Sequence, residues 1–187
     1  MKNAFDWRRF WCPRDGNISL SDRGFLADPE GPAGKFANPD LLTFEGFEKS
    51  QCVTLLGEPG IGKTWTLQRE IAKMQNSVGA VAKSFYLDLH SFTTDSRLME
   101  CLFDSEEFRS WRNGDWVLHV FLDSLDECLL RIENVANLFS DELPKQPIDR
   151  LRLRVACRTA RRSWALRILR SSLHRARDRQ SDAEPCE

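Results

Sequence analysis

The chain has 187 residues, 41% of them hydrophobic and 29% charged, with a formal net charge of −1, the size and balance of one ordinary α/β domain with short extensions. No apolar run approaches the about 20 residues of a membrane-spanning helix, and Met1 to Arg9 lacks the apolar stretch of a signal peptide, so no membrane span and a cytoplasmic location are expected. Six scattered cysteines, none in a C-x-x-C pair, offer neither a zinc ribbon nor a redox motif and read as reduced thiols.

Residues 1–50 are rich in aromatics, Gly, Pro and Asp and show little periodicity. Asp28-Pro29-Glu30-Gly31-Pro32 and Asn38-Pro39-Asp40 are turn signals, so an irregular extension is expected, with a short helix from Phe5 to Trp11. The core, 51–160, opens with the apolar run Cys52 to Leu56, a buried strand. Thr64 to Met74 then has helical spacing, with Trp65, Leu67 and Ile71 as its apolar positions. Ser84 to Leu89 reads as a second strand and Ser96 to Trp111 as a helix, followed by an Asn113-Gly114-Asp115 turn. Trp116 to Leu122 is a third strand ending in Asp123, Glu127 to Phe139 a helix, and Leu151 to Cys157 a fourth strand. Strands alternating with helices at this spacing predict a three-layer α/β fold with a mostly parallel sheet and crossover helices.

Between the first strand and its helix lies Gly57-Glu58-Pro59-Gly60-Ile61-Gly62-Lys63-Thr64, the pattern G-x-x-x-x-G-K-[ST] of a phosphate-binding loop. Glycines let the backbone close round phosphates, and the following helix N-terminus offers fixed positive potential to an anion. In such a loop Lys63 reaches the β- and γ-phosphates of a nucleoside triphosphate, and the Thr64 hydroxyl is a Mg²⁺ ligand. A carboxylate for that cation is expected at the end of a buried strand, and Asp123, 60 residues after Lys63, supplies it. Asp126 and Glu127 add carboxylates one turn further on. They are candidates to orient or deprotonate an attacking water, and they also suit the first turn of a helix through its dipole.

Taken together, Gly57 to Thr64, Phe121-Leu122-Asp123-Ser124-Leu125-Asp126-Glu127 and Val155-Ala156-Cys157-Arg158-Thr159 resemble the NACHT group of the signal-transduction (STAND) NTPases. NACHT proteins show an apolar strand, Asp, a small residue, an apolar residue, then Asp-Glu; standard AAA+ ATPases instead place the acidic pair side by side. The resemblance runs from Val53 to Arg158. It implies a slow, switch-like ATPase that self-associates, with Arg158 sensing the γ-phosphate and the Arg158 strand lying between the P-loop strand and the Asp123 strand. The N-terminal Phe5-Asp6-Trp7 and Phe10-Trp11-Cys12-Pro13-Arg14 look like leaders of bacterial NACHT-type proteins linked to phage defence. That likeness suggests at most a packing role beside an adenine for those aromatics, and core packing alone is the expected one.

The resemblance further implies a helical lid, a winged helix and a repeat-built sensor beyond the arginine. The residues after Thr159 leave no room for these, so a truncated or remnant core, incomplete at its C-terminal side, is expected. Composition shifts there as well: 16 basic and 24 acidic residues precede Arg150, whereas 11 arginines and 4 acidic residues follow from Arg150 on. The arginine-rich tail, 161–187, has three readings. It is an amphipathic helix presenting Trp164, Ile168 and Leu169, suited to nucleic acid or an anionic membrane; a solvated helix packed on the sheet; or the product of a reading frame that has left the family sequence. The first makes the chain a nucleic-acid- or partner-binding protein that keeps its P-loop as scaffold. A small P-loop kinase or GTPase fits less well, because no Asn-Lys-x-Asp guanine motif is present.

Overall fold

A computed structural model of the protein describes residues 9–21, 24–76, 82–128 and 134–158. The chain divides into two compact units, Met1–Ser50 and Gln51–Glu187. The arginine-rich tail with Trp164, Ile168 and Leu169, and Phe5 to Arg8 of the expected N-terminal helix, lie outside the described residues.

The first unit is held by turns and local polar contacts. Asp28 and Gly31 close the expected turn through a backbone hydrogen bond of 2.9 Å, and Asn38 and Leu41 close the other at 3.3 Å. Trp11 corrects the expected helix: it is extended and pairs with Leu42 in an antiparallel bridge, with N–O distances of 2.8 and 2.9 Å. The one α-helix described in this unit, α1 (Pro32–Ala37), starts on a proline, whose missing N–H and fixed φ suit a helix start. Asn38 caps its end and is buried at 1% exposure. Its side-chain amide is satisfied there, accepting from Ser19 N at 2.6 Å and donating to Ser19 O at 3.0 Å.

The second unit carries the sheet. Strand β1 (Cys52–Leu56) leads through the glycine loop into helix α2 (Lys63–Asn76), and β2 (Ala82–Asp88) follows. Next come α3 (Asp95–Leu102), α4 (Glu106–Asn113) and β3 (Val117–Asp123). Helices α5 (Leu125–Cys128) and α6 (Val135–Glu142) precede β4 (Leu151–Cys157). The four strands are all parallel, in the order β1-β4-β3-β2. The fold is therefore α/β with helices flanking a parallel sheet, and β4, the strand that leads into Arg158, lies between the glycine-loop strand and the Asp123 strand.

Two helical expectations need correction. The segment from Ser96 to Trp111 is two helices, not one, because Ser105 starts a new helix by accepting the Phe108 N–H at 3.2 Å. The break lets Phe103 and Phe108 meet edge to face, 5.3 Å between centroids, and Phe103 meet Phe139 at 6.0 Å. The helix expected from Glu127 starts earlier, at Leu125, because the Ser124 carbonyl already accepts the N–H groups of Glu127 and Cys128. Its continuation, 129–133, lies outside the described residues, and α6 runs past Phe139 to Glu142.

Strand alternation divides the sheet into unlike faces. Leu118, Val120 and Leu122 of β3, with Leu151, Leu153, Val155 and Cys157 of β4, join Phe108, Trp111 and Phe139 in one apolar core. On the opposite face α2 lies against β2, β3 and β4 and buries Leu67 completely. That face also holds His119, whose ring is stacked 6.4 Å from Phe121, and Arg154, 1% exposed. Burial, reinforced by the Arg154 and Arg152 charges, pushes the His119 pKa down to about 4. Among the described residues no helix is long and apolar enough to cross a membrane.

Candidate functional site

All four strands point their carboxyl ends the same way, and open parallel sheets bind ligands beyond that edge. A cleft of about 430 Å³ opens there. Its first wall is the glycine loop. Gly60 and Gly62 adopt φ of +80° and +97°, a region that side chains disfavour, which is why the loop turns sharply enough to enter α2 at Lys63. The Lys63 ammonium folds back and donates to the carbonyl oxygens of Gly57 at 2.5 Å and Glu58 at 3.1 Å. Thr64 opens into the cleft from the first turn of α2, and Trp65 and Gln68 line it from the same helix.

The second wall is the end of β3. Asp123 is 4% exposed, and its carboxylate is fixed by neutral donors: Ser124 N–H on one oxygen at 2.8 Å, the Tyr86 hydroxyl on the other at 3.3 Å. Burial, with the nearby Asp123 and Asp88 charges, raises the Tyr86 pKa to about 12, so the phenol stays protonated and remains a donor. Ser124 has φ of +58°, uncommon for a residue with a side chain. Such backbone conformations gather at functional sites, and this one separates the strand from a helix that begins with acidic residues.

The third wall is Arg158, directly after β4. Its backbone N–H donates to Asp126 Oδ1 at 3.1 Å, and its Nε lies 3.4 Å from Asp126 Oδ2. Its terminal nitrogen donates to Glu127 Oε1 at 2.7 Å. The other Glu127 oxygen, Oε2, meets His90 Nδ1. The acidic pair is thus unequal. Asp126 is 5% exposed, with both oxygens directed at Arg158, whereas the Glu127 side chain is 28% exposed and shared between two partners. Cys157, packed against Asp126, has its thiol pKa pushed up to about 11 by burial and by that carboxylate. A thiol of that kind stays protonated and unreactive near neutrality.

Of the residues expected from the sequence, Gly60, Gly62, Lys63, Thr64, Asp123, Asp126, Glu127 and Arg158 line this one cleft together with Pro59. Gly57, Glu58 and Ile61 do not line it: the first two offer carbonyls to Lys63, and Ile61 is 55% exposed. The sequence reading missed Trp65, Gln68, Tyr86 and His90. Gln68 carried a signal, four residues beyond Thr64 and so on its side of α2; Trp65, one residue beyond, carried none. His90 carried only its place beyond the end of a predicted strand.

No protein-family model matches the sequence, and neither does any curated protein. The fold and the cleft define an α/β protein whose parallel sheet gathers a lysine-bearing glycine loop, three carboxylates and an arginine at its carboxyl edge.

Proposed function

We propose that this unit is the Mg-ATP-binding core of a NACHT-type signalling ATPase, one that hydrolyses its nucleotide slowly. The observation that carries the reading is the convergence of Gly60, Gly62, Lys63 and Thr64 with Asp123, Asp126, Glu127 and Arg158 in one cleft, from strand ends separated by up to about a hundred residues of chain. The β1-β4-β3 strand order that the NACHT resemblance implies supports it further.

The donor set suits the ligand chemically. Thr64 hydroxyl and the buried Asp123 carboxylate lie in the same cleft, both hard oxygen donors of the kind Mg²⁺ prefers. Asp123 accepts one neutral donor on each oxygen, so further lone pairs remain. Thr64 and Asp123 would hold the cation, which would supply positive charge to neutralise the phosphoryl oxygens. Lys63, released from the Gly57 and Glu58 carbonyls, binds the β- and γ-phosphates alongside the loop N–H groups. Glu127, the more exposed of the acidic pair, orients a water and accepts its proton as the water oxygen attacks the γ-phosphorus. The bond to the β–γ bridging oxygen breaks, leaving ADP and inorganic phosphate. Asp126 positions Arg158, whose guanidinium turns to the γ-phosphate.

Equilibrium binding of a fluorescent ATP analogue with Mg²⁺ tests this, with Lys63→Ala as the comparison. Removing a charge-assisted contact and the loop's lysine is expected to weaken binding by about 100-fold or more. Equal affinity in the two proteins sinks the assignment.

A further inference from the structure

We infer that His90 is a positioning residue for Glu127, holding its carboxylate in place when Arg158 is drawn away to a phosphate. The inference rests on the nucleotide reading and extends it to a residue beyond the fourth strand end, that of β2.

The geometry is a line of contacts across the carboxyl edge. Arg158 donates to Glu127 Oε1 at 2.7 Å, and His90 Nδ1 meets Glu127 Oε2. His90 is itself held by its turn: its backbone N–H donates to Asp88 Oδ1 at 3.0 Å, and Ser91 Oγ ties the same turn to the Asp88 carbonyl at 2.8 Å. β2 and β3 run in register with Asp88 beside Asp123, so this turn lies at the level of the acidic strand end. The turn and α5 are in direct contact.

Arg158 cannot serve two anions at full strength. Its Nε and backbone N–H face Asp126, while the terminal nitrogen on Glu127 is the one free to swing, because the side chain is 46% exposed. A γ-phosphate competes for that nitrogen with more charge than a carboxylate carries. Once the contact moves, Glu127 retains only its His90 partner among the contacts described here, and a glutamate side chain with three rotatable bonds otherwise loses its direction. His90 therefore acts on turnover and not on binding, since it does not itself line the cleft and meets it only through Glu127.

The test measures Mg-ATP binding and steady-state hydrolysis in wild type, His90→Ala, His90→Gln, Glu127→Gln and the His90→Ala/Glu127→Gln double variant. His90→Ala is expected to lower kcat by about 10- to 100-fold, the effect typical of residues that orient a functional group, with KM changed less than about twofold. His90→Gln, which keeps a donor, recovers part of that loss. In the Glu127→Gln background the alanine substitution has no further effect. Unchanged kcat in His90→Ala overturns the inference, as does an equal loss in both backgrounds or nucleotide binding without any turnover. The first two outcomes leave the nucleotide reading standing, and the third leaves its binding part but removes hydrolysis. Wild type that fails to bind Mg-ATP, or Lys63→Ala that binds equally well, overturns that reading and the inference with it. His90 is half exposed, so both variants are expected to fold. Circular dichroism and a thermal melt check this.

Discussion

Along β3, Leu118, Val120 and Leu122 point into the apolar core, while the residues that follow turn into a charged cleft. The two regions are built to different rules. The core face is close-packed, with Phe108 and Trp111 edge to face at 4.9 Å and Trp111 fully buried. The carboxyl edge holds left-handed glycines, a serine at φ +58°, and charges paired across two strand ends. Packing density lowers the free energy of the fold. Strain and unequal charge pairing raise it locally and persist because the strands beneath fix their ends. The difference teaches that the site draws on stability made elsewhere, so substitutions in the two regions should separate cleanly.

The largest effect should come from the core. Phe139→Ala removes a ring that is 1% exposed and contacts Phe103, and is expected to cost about 3–5 kcal/mol in chemical denaturation. The remaining folded fraction should bind nucleotide with wild-type affinity; a matching fall in affinity would break the distinction. Next is the reverse case, Lys63→Ala, expected to lose about 100-fold or more in Mg-ATP affinity with little change in Tm. The same substitution lowering Tm by many degrees would mean that the loop is part of the core.

Ser124→Gly sharpens the contrast at the edge. A side chain in the left-handed region costs roughly 1–2 kcal/mol, and glycine's greater unfolded-state freedom takes back about half of that. A net gain of about 0.5–1 kcal/mol in urea unfolding is therefore expected, with the risk to function falling on turnover and not on binding. A loss of stability would show that Ser124 contributes more than its conformation.

The smallest effect concerns pH, on the face opposite the apolar core. His119 has a folded pKa of about 4 against an ordinary value of 6.5, so it stays neutral in the fold while the unfolded chain takes up a proton. Its contribution is fully present above pH 6.5 and is lost as pH falls from there towards 4. His119→Gln should flatten that part of the Tm–pH curve. Nucleotide affinity measured at fixed pH should be the same in both proteins, because His119 does not line the cleft.

Much of this was legible in the sequence for specific reasons. Cys52 to Leu56 and Leu151 to Cys157 are apolar or alternating runs bounded by turn residues, and both strands fall at the expected bounds. The glycine loop was legible because positive φ at Gly60 and Gly62 favours glycine, and the G-x-x-x-x-G-K-[ST] pattern is a local one. The helical segments were less so. Nothing in the periodicity from Ser96 to Trp111 marks Ser105 as a new start; the capping hydrogen bond wins because it lets Phe103, Phe108 and Phe139 share one core.

The sequence by itself determined the strand–loop–helix unit at Gly57 to Thr64 and the acidic strand end at Asp123, because both are local: neighbouring residues along the chain define the backbone path and the charge. Tertiary structure alone decided that Arg158 pairs with both Asp126 and Glu127, that Tyr86 fixes Asp123, and that His90 stands behind Glu127. These groups lie 31 to 37 residues apart along the chain. They meet only because a parallel sheet in the order β1-β4-β3-β2 brings successive carboxyl ends to one edge, a register that burial of the apolar faces imposes and no local pattern records.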